Sequence, residues 1–278
     1  MKIGIMDGAL RQTWNRLFRE AARLGYEGVE LGIGSDYKAS KLWHAEGRND
    51  LAARALKFRI PVTSICLHSF WQYSFADPDE KIRVIARAIT KETIGFCAEL
   101  GVSIILVPVT NPCGAEMRDV NRRWMESIRV CAETAAQHHV TIGLENVGRS
   151  HIRSGEDMAA FLDAVGSPFV KAYYDVGNGK ALGGDPVEEI RLLGTRILQV
   201  HIKNPGSEVL EGGPVDIPAC IDALKEIGYD GYLVLETPPT DNPYEVAKRH
   251  LRYLRAILLG QERRAESTEE AEEPEDET

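Results

Sequence analysis

The amino-acid sequence predicts an α/β protein, specifically a closed (β/α)8 TIM barrel of parallel strands. A short apolar, β-branched run, then a loop, then an amphipathic helical stretch recurs about eight times, and 278 residues suit one such barrel. An open doubly wound sheet usually carries a GxGxxG turn after its first strand, and MDGALRQTW (6–14) lacks that pattern. We therefore expect one barrel domain over residues 1–260.

Each predicted strand is rich in apolar and β-branched residues, as expected for strands that are buried on both faces. In order, the strands are KIGIMD (2–7), GVELGI (28–33), PVTSICLH (61–68), SIILVPVT (103–110), TIGLENV (141–147), VKAYYDV (170–176), ILQVHIKN (197–204) and GYLVLET (231–237). The stretches 14–25, 79–100 and 116–138 between them show the i, i+3, i+4, i+7 apolar spacing of helices.

Helix boundaries carry their own signals. Gly25 and Gly101 each follow a leucine at a position where a helix favours a glycine cap. Ser154 stands three residues before Asp157 as an approximate capping box. Asp216 is a suitable N-cap for a helix over 216–228.

The negative charge is concentrated at one end of the chain. Residues 261–278 contain nine acids and two arginines, so they carry −7 of the net charge of −9 and leave −2 for the other 260 residues. This segment has little to bury and its like charges repel, so we expect an acidic, disordered tail. The near-neutral remainder has no basic stripe, which argues against a nucleic-acid partner.

The sequence favours a cytoplasmic location. No apolar stretch approaches the roughly 18–20 residues that a membrane span needs, so no membrane association is expected. Met1-Lys2 runs into IGIM without the pattern of a signal peptide, so we expect none. The five scattered cysteines form no CxxC pair, which is typical of reduced thiols.

Four potential metal ligands stand at the carboxyl ends of the last four predicted strands: Glu145, Asp175, His201 and Glu236. Active sites of such barrels lie at this end, and neighbouring strands are about 4.8 Å apart, so the four side chains should converge. A single acid at a strand end is more commonly a helix cap or an ion-pair partner. Matching positions on four successive strands instead indicate one shared metal ion.

Three carboxylates and one imidazole favour Mn²⁺ or Mg²⁺, with Co²⁺ and Zn²⁺ as alternatives. A divalent ion polarises a carbonyl group and makes the adjacent C–H bond more acidic. The predicted reaction class is therefore proton abstraction next to a carbonyl, as in the isomerisation or epimerisation of a sugar.

The motifs GLEN, YYDVGN, QVHIKN and especially GGPVDIPACIDALKEIGYDGYLVLE (212–236) resemble the sugar phosphate isomerase/epimerase superfamily, which has a xylose-isomerase-like barrel. The resemblance covers residues 1–259 and is most specific in the C-terminal half. It implies C3 epimerisation of a ketose or ketose phosphate. It also implies that Glu145 and Glu236 serve both as metal ligands and as the acid/base pair, through an enediolate.

The forms DVGN and HIKN are closer to ketose-5-phosphate 3-epimerases than to free-ketose enzymes. The latter usually have histidine where this chain has Asn178 and glutamate where it has His151. The segment 65–77 also resembles the phosphate-acting group, but residues 69–72 are SFWQ where that group has basic residues. The phosphorylation state of the sugar therefore stays open.

Five further side chains near the same strand ends are candidates for substrate binding, each with a purely structural role as the alternative. They are His68, Asn178, Lys203, His151 and Trp71. Lys203 points to the same side of its strand as His201, because side chains alternate along a strand. The expected partner is a small sugar or sugar phosphate. Related barrels often pair through their outer helices, so a homo-oligomer is also compatible with the resemblance.

Three other functions fit parts of the pattern. An inosose-type dehydratase would use the same metal and proton abstraction, followed by loss of hydroxide. An apurinic-site endonuclease shares the barrel but needs three zinc ions and a basic face, against which seven histidines and a near-neutral body argue. A non-catalytic, metal-stabilised binding protein is the third alternative.

Overall fold

The computed structural model describes residues 1–112, 116–238 and 240–260. Within these ranges eight parallel strands pair in sequence order, and the eighth pairs with the first to close a barrel. The strands are β1 (Lys2–Met6), β2 (Gly28–Gly32), β3 (Val62–Cys66), β4 (Ile104–Pro108), β5 (Thr141–Glu145), β6 (Val170–Asp175), β7 (Ile197–Ile202) and β8 (Tyr232–Leu235). The predicted (β/α)8 architecture is confirmed. The predicted tail at 261–278 and Cys113 lie outside the described residues.

Helices connect successive strands on the outside of the barrel, and the last follows β8. They are α1 (Asp7–Leu10), α2 (Trp14–Leu24), α3 (Ala45–Phe58), α4 (Glu80–Leu100), α5 (Met117–His138), α6 (Gly155–Val165), α7 (Val176–Ala181), α8 (Pro186–Leu193), α9 (Ile217–Glu226) and α10 (Pro243–Leu258). Among the described residues, none of these helices combines the length and apolarity that would let it span a membrane.

The predicted helix boundaries are found in the structure. Gly25 and Gly101 follow α2 and α4 with φ of 99° and 68°, a left-handed conformation that glycine adopts without steric cost. The Ser154 hydroxyl accepts a hydrogen bond from the Asp157 N–H at 3.2 Å at the start of α6. The Asp216 carboxylate accepts one from the Ala219 N–H at 2.9 Å at the start of α9.

The buried apolar side chains form two clusters. The larger lies between the strands and the surrounding helices and includes Leu31, Ile105 and Trp124. The smaller consists of strand residues that face the barrel interior, namely Met6, Cys66, Leu106, Tyr173 and Val234. The interior below the carboxyl ends of the strands is therefore filled, and a ligand can enter only from the rim.

Candidate active site

The strand ends bring the four predicted ligands together. Glu145 and Asp175 are the last residues of β5 and β6, His201 is the penultimate residue of β7, and Glu236 directly follows β8. Asp175 and His201 are paired across β6 and β7, so their side chains leave the sheet on the same face. One potential ligand atom from each of the four residues lies within 4.8 Å of the others.

The geometry of this cluster fits a divalent cation. The His201 Nδ1 lies 3.1 Å from Glu145 Oε1, 3.4 Å from Glu236 Oε2 and 3.9 Å from Asp175 Oδ2. Buried carboxylates this close together repel each other unless a positive charge compensates them. Three hard oxygen donors and one imidazole nitrogen are a ligand set that Mn²⁺ and Mg²⁺ accept.

Lys203 supplies part of that positive charge. Its Nζ lies 2.6 Å from Asp175 Oδ2 and 2.5 Å from Glu236 Oε2. A Cβ atom at Gly177 would lie 2.5 Å from the Lys203 Cγ, so the absence of a side chain there makes room for the lysine. Lys203 therefore belongs to the site, beside the predicted ligands.

The surroundings drive the pKa values of the two predicted acid/base glutamates apart. Burial raises the pKa of Glu145 to about 7; the hydrogen bond from His201 opposes this shift, and the charge of Glu236 adds to it. Burial would also raise the pKa of Glu236, but the charges of His201 and Lys203 outweigh it and lower that pKa to about 2. Two carboxyl groups with such different proton affinities are typical of acid/base pairs.

Two asparagines fix the strand ends that carry the ligands. The Asn146 side chain accepts a hydrogen bond from the Asp175 N–H at 2.8 Å and donates one to the Asp175 carbonyl at 3.0 Å. Asn178 donates from its side chain to the Asn146 carbonyl at 2.9 Å. Asn146 is not among the residues predicted from the sequence, although its position directly after a predicted ligand in GLEN was a usable signal.

A cavity of about 390 Å³ opens beside the ligand cluster. His68, Asn178, Lys203 and Glu236 contribute to its wall. This volume is within the range of small-molecule sites and suits a sugar. Three of the five candidate substrate residues thus lie at one opening.

The structure places His151 and Trp71 away from this lining. His151 lies in a separate groove that α5 and α6 border, with its ring centroid 5.5 Å from that of Phe161. Trp71 is 46% exposed, and the Arg149 guanidinium lies 4.9 Å above its ring. His151 belongs to a loop and Trp71 ends a short 3-10 helix, His68–Trp71, and the strand pattern determines the path of neither segment.

Glu30, in the middle of β2, is a second residue of the site that was not predicted from the sequence. This side chain is fully buried, and its Oε1 lies 2.8 Å from the His201 Nε2. The available signal was a single acid inside the apolar run GVELGI, since an acid in such a run must find a buried partner.

Comparisons with known proteins agree with the fold. A family described as Xylose isomerase-like TIM barrel matches residues 18–257. The chain is 26% identical over 259 residues to the L-ribulose-5-phosphate 3-epimerase UlaE of Salmonella typhimurium. The alignment covers 88% of this chain and 91% of that protein.

Solved structures share the barrel at lower sequence identity. A structure of L-ribulose 3-epimerase superposes with a TM-score of 0.82 at 21% identity, covering 98% of this chain and 99% of the other. The D-allulose 3-epimerase from Methylomonas sp., in complex with D-allulose, superposes with a TM-score of 0.79 at 19% identity, covering 92% and 97%.

Proposed function

Since the chain belongs to the xylose isomerase-like TIM barrel family, we propose that it is a divalent-metal-dependent epimerase that acts at C3 of a ketose or ketose phosphate. The observation that carries the proposal is the convergence of Glu145, Asp175, His201 and Glu236 within 4.8 Å beside a sugar-sized cavity. The similarity to a ketose-phosphate 3-epimerase supports the choice of reaction.

Glu145, Asp175, His201 and Glu236 would hold the cation, with Mn²⁺ or Mg²⁺ preferred for this donor set. When bound, such an ion supplies a positive charge that polarises the substrate carbonyl and makes the neighbouring C–H bond more acidic. We propose that one of the two glutamates removes the C3 proton from one face of the sugar and that the other returns a proton to the opposite face. Positioned groups of this kind accelerate proton transfer about 10²–10⁴-fold.

His68, Asn178 and Lys203 would contact the sugar oxygens, because all three line the cavity. For Trp71 we propose a contact at the exposed rim, and for His151 an influence on specificity through its loop. We also propose that residues 1–260 act as one domain in the cytoplasm, consistent with the four described cysteines, which are buried and unpaired.

The test is solvent exchange. Ketoses and ketose 5-phosphates are incubated in D₂O with Mn²⁺, and deuterium at C3 is read by NMR. We expect incorporation with the unmodified protein, and a loss of at least about 100-fold in both Glu145→Gln and Glu236→Gln. Glu133→Gln, on the exposed part of α5, is the matched control and should exchange normally.

Product mass and exchange separate the alternatives. Conserved mass with deuterium at C3 supports the epimerase, whereas loss of water from the product would indicate the dehydratase. Sugar binding without any exchange would indicate a binding protein. Normal exchange in both glutamine variants would disprove the two-glutamate mechanism.

A further inference from the structure

Glu30 approaches His201 from below the ligand cluster. The two residues are 171 positions apart in the chain, and both side chains are fully buried in the barrel interior. Glu30 contacts the Nε2 of the imidazole, whereas the Nδ1 faces Glu145, Glu236 and Asp175. The ring is therefore held between one carboxylate below and the cluster above.

The other oxygen of Glu30 is fixed by two hydroxyl groups. It accepts hydrogen bonds from Ser64 Oγ at 2.5 Å and from the Tyr173 hydroxyl at 2.6 Å. The Gln199 side chain donates to both of these hydroxyl oxygens at 2.8 Å, so each hydroxyl hydrogen is free to point at Glu30. With one oxygen held by two donors, Oε1 is left to accept from His201, and the carboxylate has a single orientation.

We propose that Glu30 is a positioning residue for the metal site. Its carboxylate accepts the Nε2–H of His201, so that the ring keeps its proton on Nε2 when a cation binds and the Nδ1 lone pair then points into the cluster. The hydrogen bond that one ring nitrogen makes determines which nitrogen can bind a metal, and a carboxylate partner raises the basicity of the ligand. This inference rests on the proposed function, because it assigns a role toward the cation of that site.

The surrounding interior shows why packing alone is an insufficient explanation for Glu30. Apolar side chains such as Met6, Leu106 and Val234 fill another part of the same interior. An ionised carboxylate in this position is costly to bury, and an apolar side chain would fill the space at lower cost. Hydrogen bonds from Ser64, Tyr173 and His201 compensate that cost, and the same contacts orient His201.

The experiment measures Mn²⁺ binding by calorimetry on metal-stripped protein. We expect Glu30→Gln to weaken the Kd about 10–100-fold, the usual effect of losing a carboxylate partner of a histidine ligand. Tyr173→Phe is the matched control, since it removes one hydrogen bond to the same carboxylate but keeps the ring beside His201 and the Glu30–His201 contact. Its Kd should change much less.

A second measurement needs no variant. In protein labelled with ¹⁵N-histidine and loaded with Mg²⁺, the ring shifts of His201 should report the Nε2–H tautomer. An Nδ1–H tautomer, an unchanged Kd in Glu30→Gln, or an equal loss in Tyr173→Phe would overturn the inference. Failure of the unmodified protein to bind Mn²⁺ would remove the metal site and this inference together. Metal binding without deuterium exchange would contradict only the epimerase.

Discussion

Lys203 is the residue through which the site balances its charge. It contacts two of the four predicted ligands, Asp175 and Glu236, and only about a fifth of its side chain is exposed. Neutralising one partner of a buried ion pair leaves the other charge uncompensated, which typically costs 3–5 kcal/mol. A bound cation would take over the same compensation, so Lys203 and the metal ion act on the same carboxylates.

We expect Lys203→Met to lower the free energy of unfolding by about 3 kcal/mol in EDTA, because Asp175 and Glu236 lose their counter-charge. Mn²⁺ should then stabilise the variant more than it stabilises the unmodified protein. Urea unfolding with and without Mn²⁺ measures both effects. Lys180→Met, at an exposed position in α7, serves as the control and should behave normally. Equal stability of Lys203→Met and the unmodified protein in EDTA would contradict this account.

At the scale of single elements, the strands and the ligand cluster were predictable, because side-chain alternation and closure of the barrel leave little freedom at a strand end. Asp175 and His201 could be placed together from their positions alone. The role of Glu30 could not be predicted, because only closure of the barrel brings it close to His201, 171 positions away, and no local sequence pattern indicates that contact. The position of His151 was also beyond prediction, because loops follow paths that depend on the helices they cross.

Helix α10 contains a buried histidine, His250, outside the predicted metal site. His250 is fully buried, and neither ring nitrogen has a hydrogen-bond partner among the described residues. Burial lowers the pKa of His250 to about 4; Glu211 opposes this shift, and Arg249 adds to it. In the folded protein His250 therefore stays neutral at pH values at which the same side chain is protonated in the unfolded chain.

The unfolded chain binds more protons than the folded one between pH 6.5 and about 4, so stability falls as the pH falls through this window. The slope from His250 is at most about 1.4 kcal/mol per pH unit. We expect His250→Leu to flatten this part of the stability profile, measured by urea unfolding from pH 7 to pH 5 in EDTA. His138→Ala, at the exposed end of α5, is the control. A profile in His250→Leu as steep as that of the unmodified protein would refute the assignment.

At the scale of the whole molecule, the ligand cluster connects four consecutive strands, β5 to β8, at one end of the barrel. An ion that binds only the folded state adds its binding free energy to the stability of the entire barrel. The predicted donor set therefore links function to global stability, and metal binding can be followed without a substrate.

We expect Mn²⁺ at 100 times its Kd to stabilise the protein by about 2.7 kcal/mol, roughly 5–10 °C in Tm for a barrel of this size. His201→Ala should lose most of this rise, because it removes the only nitrogen ligand of the set. Differential scanning calorimetry with and without Mn²⁺ measures it, and His138→Ala should respond as the unmodified protein does. A full Tm rise in His201→Ala would show that the ion binds elsewhere.

The pairing of β1 with β8 has a consequence for how the molecule is made. A ribosome delivers Lys2–Met6 long before Tyr232–Leu235, so the nascent sheet keeps two unpaired edges through most of translation. Glu236 emerges immediately after the strand that closes the sheet. A polypeptide that stops short of β8 thus lacks one of the four predicted ligands and a closed sheet at once, and premature termination leaves a fragment prone to aggregation.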